Sequence, residues 1–149
     1  MSLTEKISND IKEAMKAHDK VALEALRAAK TAFTIARTNK GAEAVLGEAE
    51  EISIVQKLVK QRKESAQIYS GQNRAELAEK ELSEATVLEK YLPAKMGEAE
   101  LLRVIKEIIE KIGAKSPADM GKAMGVATKE LAGKADGKEI SALVKQLLG

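Results

Sequence analysis

Apolar residues recur at every third or fourth position along most of the chain, which is the period of an amphipathic helix. Leu3, Ile7, Ile11 and Met15 form the first such stripe, with charged residues between them. No segment alternates apolar and polar residues in the way that a half-exposed β-strand does. The pattern therefore predicts an all-α protein.

Four helices are predicted in the first part of the chain, over about residues 3–17, 20–39, 48–70 and 74–92. Ser2 or Thr4 is expected to cap the first of them. Asp19 and Asn73 are expected to cap the second and the fourth, because their side-chain oxygens can accept from free N–H groups. Pro93 ends the fourth helix, since the residue before a proline is pushed out of the helical conformation.

The composition changes after residues 93–97, and three shorter helices are predicted over about 98–112, 117–131 and 137–149. Gly113 ends the first of these helices, and Asp136 is expected to cap the last. The chain is thus predicted to form a bundle of about four helices over residues 1–93. A small three-helix C-terminal subdomain is predicted over residues 97–149.

Composition narrows the chemistry that the chain can perform. The 149 residues are 44% hydrophobic and 32% charged, which is enough for an aliphatic core. The absence of Cys excludes disulfides, zinc fingers and thiol chemistry. A single histidine, His18, excludes a multi-His metal site and a His-centred triad. The formal net charge of +2 is below that of a dedicated nucleic-acid binder.

The sequence lacks the usual signals for membrane insertion and secretion, and it lacks the common catalytic motifs. No apolar run approaches the roughly 18 residues of a membrane span, and the start lacks the apolar region of a secretory signal. We therefore expect a cytoplasmic protein with neither a membrane nor DNA as a partner. No Walker-type loop is present, and the acidic runs at 48–51 and 76–84 are predicted to be solvated faces. The sequence predicts no catalytic residue, no metal site and no cofactor.

Two features leave alternatives open. Arg62 lies near the apolar stripe of the third helix, so it is a candidate either for a structural salt bridge to Glu81 or Glu84 or for a ligand or phosphate contact. Gly121 and Gly125 lie one turn apart in a predicted helix, where each glycine costs about 1 kcal/mol relative to alanine. They predict close approach by another backbone, which is either a neighbouring helix or an RNA.

A series of short motifs runs along the chain: Lys60–Ser65, Gly71, Arg74, Leu77–Glu81, Leu88–Pro93, Met120–Gly125 and Gly133–Lys138. In this order they resemble the YqeY family, or GatB/YqeY-like proteins, over essentially the whole chain. That family is similar to the C-terminal tail of the B subunit of glutamine-dependent aminoacyl-tRNA amidotransferases, in which a helical tail helps to bind tRNA. The resemblance implies an all-helical body and a small three-helix C-terminal domain. The activity often assigned to this family, and here called the family label, is that of a carbon–nitrogen ligase with glutamine as the amido donor.

The resemblance implies a non-catalytic tRNA-binding or accessory module, because the catalytic domain of the B subunit has no counterpart in this sequence. The RNA-binding candidates are Lys122, Lys129, Lys134, Lys138, Gly121, Gly125 and Gly137. The candidates for a structural or ligand contact are Arg62, Arg74 and Tyr91. Transfer RNA is the expected partner, and an amidotransferase or another translation-related protein is a further candidate partner.

Two other functions compete with this one. A protein-interaction or scaffold module without RNA contact would use the helix at 101–112, whose apolar density is expected to exceed what a three-helix core can bury. An enzyme that acts alone is supported only by the family label. The sequence leaves both of these alternatives open beside tRNA binding.

Overall fold

The computed structural model of this chain describes residues 1–149 and is all-helical, which confirms the predicted fold class. The α-helices are α1 (Leu3–Lys16), α2 (Lys20–Lys40), α3 (Glu48–Gly71), α4 (Ala75–Glu89), α5 (Glu98–Ile112), α6 (Met120–Glu130) and α7 (Gly137–Leu148), and a 3₁₀ turn, Pro117–Asp119, precedes α6. The chain folds into two compact units, Met1–Leu92 and Pro93–Gly149, each with its own core. That the two units behave as independent domains stays a prediction.

The first unit packs α1 to α4 around an apolar core, with the most extensive contact between α3 and α4. The side chains of Ile7, Phe33, Val55 and Leu88 come from the four helices and are at most 2% exposed. Each of them lies on the apolar stripe of its helix, so the same spacing that predicts the helix also selects its buried face. Burying one such side chain contributes about 1.5–3 kcal/mol.

The second unit packs α5, α6 and α7 around a smaller core. Leu101 of α5 and Ile140 and Val144 of α7 supply large side chains that are at most 2% exposed. The buried face of α6 instead consists of Ala123 and Ala127, both fully buried. Small side chains let helix axes approach closely, so α6 packs through its alanines. Its opposite face therefore points away from the core.

The predicted helix caps are only partly observed. Asp19 caps α2 by accepting a hydrogen bond from the N–H of Ala22 at 3.1 Å. The prediction for Asn73 is wrong, because Asn73 takes a left-handed φ of 58° and Arg74 occupies the N-cap position of α4. Asparagine tolerates this conformation better than most residues, so it makes the turn and does not cap the helix. Asp136 lies at the N-cap of α7, but its side chain forms no capping hydrogen bond.

Candidate functional site

One face of α6 brings together four of the predicted RNA-binding residues. At about 100° per residue, Gly121, Lys122, Gly125 and Lys129 fall within about 100° of arc on the side opposite the buried alanines. All four residues are exposed. The two lysine Cα atoms are about 10 Å apart along the helix axis. We refer to these four residues as the α6 face.

The glycines of the α6 face have no neighbouring backbone within the protein. A Cβ atom placed on Gly121 or Gly125 would meet no heavy atom within 4 Å. The prediction that a neighbouring helix approaches these glycines is therefore wrong, because the alanines on the opposite side already provide the close packing of α6. Approach by an external partner is the alternative that stays open.

The remaining predicted residues of the second unit lie around the turn between α6 and α7. The backbone of Lys134 is fixed in this turn: its N–H donates to the carbonyl of Leu131 at 2.9 Å, and its carbonyl accepts from the N–H of Met96 at 2.8 Å. Lys138 and Gly137 lie in the first turn of α7, and both are exposed. The side chain of Lys134 is exposed as well, so the turn presents two cations four residues apart.

The formal charge excess of the chain resides in the second unit. Residues 93–149 contain ten Lys and Arg against eight Asp and Glu, whereas residues 1–92 contain fifteen of each. The charge of Arg103 is neutralised by two carboxylates: its Nη2 atom lies 3.8 Å from Oε1 of Glu100, and its Nη1 atom lies 2.9 Å from Oε1 of Glu107. None of the four predicted RNA-binding lysines lies within 4.0 Å of a carboxylate. Their charge is therefore available to a partner.

The second unit contains no aromatic side chain. Phe33, Tyr69 and Tyr91, the three aromatic residues of the chain, all lie in the first unit. Proteins that recognise unpaired bases stack them on aromatic rings or on arginine planes. The lysines and glycines of the second unit can instead contact phosphates and sugars.

Arg62 lies in the first unit and pairs with the carboxylate of Glu84. Its Nε atom is 3.6 Å from Oε1 of Glu84, and the two side chains are only 16% and 9% exposed. Its Nη1 atom donates to the carbonyl of Leu58 at 3.3 Å, while Nε has no hydrogen-bond partner. Burial raises the pKa of the Glu84 carboxyl, and the Arg62 guanidinium acts in the opposite direction. Of the two predicted partners, Glu84 and not Glu81 makes the salt bridge.

The other two candidates for a structural or ligand contact differ in their surroundings. The hydroxyl of Tyr91 donates to the carboxylate of Asp10, and Nζ of Lys6 lies 5.8 Å from the centroid of the Tyr91 ring. Burial, together with the bond to Asp10, raises the pKa of the Tyr91 phenol, which therefore stays protonated. These contacts favour a structural role that links the end of α4 to α1. Arg74 is exposed and forms no ion pair.

The prediction that both acidic runs are solvated is wrong at two positions. Glu51 and Glu84 are only 3% and 7% exposed, whereas Glu48 and Glu79 are exposed as predicted. Glu51 stands four residues before Val55, so it lies on the buried stripe of α3. This spacing was the signal in the sequence that could have identified it. A charge on an apolar stripe is buried when a donor from another element satisfies it.

The expectation that the helix at 101–112 has more apolar surface than its core can bury is also wrong. Leu101, Ile105 and Ile108 are buried, Val104, Ile109 and Ile112 pack partly buried against the same core, and Leu102 is half-buried. The exposed large hydrophobic residues are Met1, Met15, Ile35, Val45, Ile68 and Leu82, all in the first unit. The observation that supported a scaffold function through α5 is therefore removed.

Glu51 caps α1 from a distant part of the chain. Its Oε2 atom accepts from both the N–H and the hydroxyl of Thr4, each at 2.7 Å. Ser2 and Glu5 complete a capping box at the same helix end. The carboxylate of Glu51 thus joins the start of α3 to the positive end of the α1 dipole.

Replacing Glu51 by glutamine is expected to lower the free energy of unfolding by about 1 kcal/mol, because a neutral amide accepts more weakly than a carboxylate and loses its interaction with the helix dipole. Urea denaturation at neutral pH measures this loss. Glu48→Gln is the control, since Glu48 lies exposed in the same helical turn. Equal losses in the two variants would show that the bonds to Thr4 do not stabilise the fold.

The structure contains neither a group of metal-binding side chains nor a helix that could span a membrane. No three His, Cys, Asp or Glu side chains are grouped in a way that could hold a metal ion. None of the helices combines the length and the apolar character needed to cross a bilayer. His18 lies just beyond the end of α1, where it is exposed and takes a left-handed φ of 55°.

The chain matches known proteins over most of its length. A family model described as Yqey-like protein matches residues 4–148, which is nearly the whole chain. A protein named "Altered inheritance of mitochondria protein 41, mitochondrial", from Pyrenophora tritici-repentis (strain Pt-1C-BFP), is 26% identical over 148 residues. The aligned region covers 97% of this chain and 80% of that relative. The matches therefore extend over both units of the structure.

Proposed function

Because the chain belongs to the YqeY-like protein family, we propose that it is a non-catalytic accessory module that binds tRNA through its second unit. The α6 face carries the proposal. Its two lysines are exposed without an ion pair, and no atom lies within 4 Å above its two glycines. Lysines attract phosphates, and a helix surface without side chains lets a sugar–phosphate backbone approach closely. Lys134, Lys138 and Gly137 extend this surface onto the following turn.

The chemistry of this surface suits the backbone of folded RNA. Paired RNA is recognised mainly by shape and by contacts to phosphates and 2′-hydroxyls, which require no aromatic platform. Each lysine that neutralises a phosphate releases counterions, so binding of this kind weakens steeply as salt increases. The modest charge excess of the second unit supports micromolar affinity better than nanomolar affinity. The proposal does not include the ligase activity of the family label.

The test is binding of the purified full chain to total tRNA across a salt series, compared with a single-stranded RNA of equal length. We expect micromolar binding at low salt that prefers tRNA. Lys134→Glu together with Lys138→Glu is expected to reduce the slope of log K against log salt by about 0.7–0.9 per lysine. Fluorescence anisotropy measures both the affinity and the slope.

Lys12→Glu with Lys20→Glu is the matched control, because both lysines are exposed in the first unit and form no ion pair. It changes the net charge by the same amount and should leave the slope unchanged. Equal effects of the two double variants would show that the second unit is not the binding surface. Absence of tRNA binding even at low salt would overturn the proposal and would favour a protein-interaction module instead.

We further propose the cytoplasm as the place of action and translation-related proteins, an amidotransferase among them, as additional partners. These assignments rest on the family and on the proposed RNA contact. Co-purification from a lysate before and after nuclease treatment tests the protein partners. Partners that are lost on nuclease treatment are bridged by RNA, whereas those that persist contact the protein directly.

A further inference from the structure

A cavity of about 370 Å³ opens in the first unit beside the N-terminus of α1. It lies among the first turns of α1, the middle of α2, the loop at 44–46 and the start of α3. Four of its lining residues, Lys30, Phe33, Thr34 and Arg37, follow one another at helical spacing along α2. Ligand sites in proteins have volumes of roughly 300–1,000 Å³, so the cavity is large enough for a small molecule.

The cavity lining carries two cations, Lys30 and Arg37, and two carboxylates, Glu5 and Glu51, and only the carboxylates have partners within the protein. Glu5 accepts from the N–H of Ser2 at 3.3 Å, and Glu51 accepts twice from Thr4, so both acidic residues of the lining have donors. Neither Lys30 nor Arg37 lies within 4.0 Å of a carboxylate. The cavity therefore offers two free cations to a ligand.

Part of the lining is apolar. Phe33 is 2% exposed and Leu46 is partly buried, and both border the cavity together with Val45. Val45 itself is 80% exposed. The loop that carries it is held in place by Nζ of Lys40, which donates to the carbonyl of Val45 at 3.3 Å and pairs with Glu50. Val45 is thus positioned at the mouth of the cavity, where a ligand would cover it.

We propose that this cavity binds a small organic anion, a carboxylate or phosphate monoester attached to an apolar body. The guanidinium of Arg37 can donate two parallel hydrogen bonds to oxygens of the acid group, and the ammonium of Lys30 adds a second charge. The apolar body lies against Leu46 and beneath Val45. All of its residues belong to the first unit, so it shares no residue with the proposed RNA surface.

Binding of benzoate and of phenyl phosphate to the full chain, measured by isothermal titration calorimetry and by NMR chemical shifts, tests the proposal. Benzyl alcohol serves as the neutral analogue, and inorganic phosphate serves as the anion without an apolar body. We expect at least one organic anion to bind with millimolar or better affinity and to shift the amide signals of the loop at 44–46. The tighter of the two identifies the acid group. Both reference compounds should bind at least tenfold more weakly.

The double variant Lys30→Gln with Arg37→Gln is expected to weaken this binding at least tenfold. The matched control is Lys20→Gln with Arg27→Gln, because these two exposed cations have the same spacing on the same helix but do not line the cavity. All four residues are exposed, so both variants should fold, which thermal unfolding verifies. Absence of binding by both organic anions, equal binding of inorganic phosphate, or equal weakening in the control would overturn the proposal.

Discussion

Replacing Arg62 by methionine should lower the free energy of unfolding by about 3 kcal/mol at pH 8, because the substitution leaves the Glu84 carboxylate buried without its cation. Methionine retains most of the apolar volume of the arginine stem, so the loss reports on charge and not on a cavity. Urea denaturation at pH 8 measures it. The control is Lys63→Met, which breaks a pair with Glu89 on the same two helices, at 2.8 Å but about half exposed. An exposed pair of this kind is worth at most about 1 kcal/mol.

The loss caused by Arg62→Met should shrink as the pH falls. The pKa of Glu84 is already raised by burial, and it rises further when the opposing effect of Arg62 is removed, while Glu81 and Glu24 add to the rise and Lys80 opposes it. The loss is complete above the folded pKa of Glu84 in the variant, where the buried carboxylate is charged in both proteins. It decreases as the pH falls from that pKa to the lower, but still raised, folded pKa of Glu84 in the wild type, and below the wild-type pKa it vanishes.

A second substitution separates this explanation from a general defect in packing. Combining Arg62→Met with Glu84→Met should restore the free energy of unfolding to within about 1 kcal/mol of the wild type, because two apolar side chains of similar size avoid the desolvation penalty of the ion pair. The orphaned Nε of Arg62 favours this outcome, since the present pair does not satisfy all of its donors. A double variant no more stable than Arg62→Met alone would contradict it.

Replacing both Gly121 and Gly125 by alanine should change stability and RNA binding in opposite directions. Alanine is favoured over glycine inside a helix, and the added methyl groups meet no atom, so the free energy of unfolding should rise by about 1–2 kcal/mol. The same methyl groups would hold an RNA backbone away from the α6 face. Affinity for tRNA is therefore expected to fall about tenfold while the melting temperature rises.

Gly71→Ala is the matched control for this pair. Gly71 ends α3 in the first unit, and its added Cβ atom would also meet nothing within 4 Å. It should leave tRNA binding unchanged. Unaltered binding by the Gly121→Ala, Gly125→Ala protein would show that the RNA does not approach α6 closely. Thermal unfolding and fluorescence anisotropy on the same samples measure the two effects.

The sequence predicted the helices well because they depend on local spacing. The apolar stripes placed all seven α-helices to within a few residues, and Gly113 ends α5 as predicted, where it takes a left-handed conformation. The helical period and the steric effect of proline involve only residues that are close in the sequence, so a short stretch of sequence is enough to detect them. Asn73 shows the limit of such reasoning, since both a cap and a left-handed turn suit asparagine and the surrounding turn decides between them.

The candidate sites likewise combine features that depend on local sequence with features that depend on long-range packing. Sequence alone identified the lysines of the second unit and the inward position of Arg62, since exposure and burial follow from helical period. Only the tertiary structure showed that Gly121 and Gly125 face open space, that Glu51 caps α1 across 47 residues, and which residues form the cavity near Lys30. These contacts join residues that are distant along the chain. Their formation depends on how whole helices pack. A contact between residues that are distant in sequence does not alter the local apolar periodicity, so the sequence pattern does not reveal it.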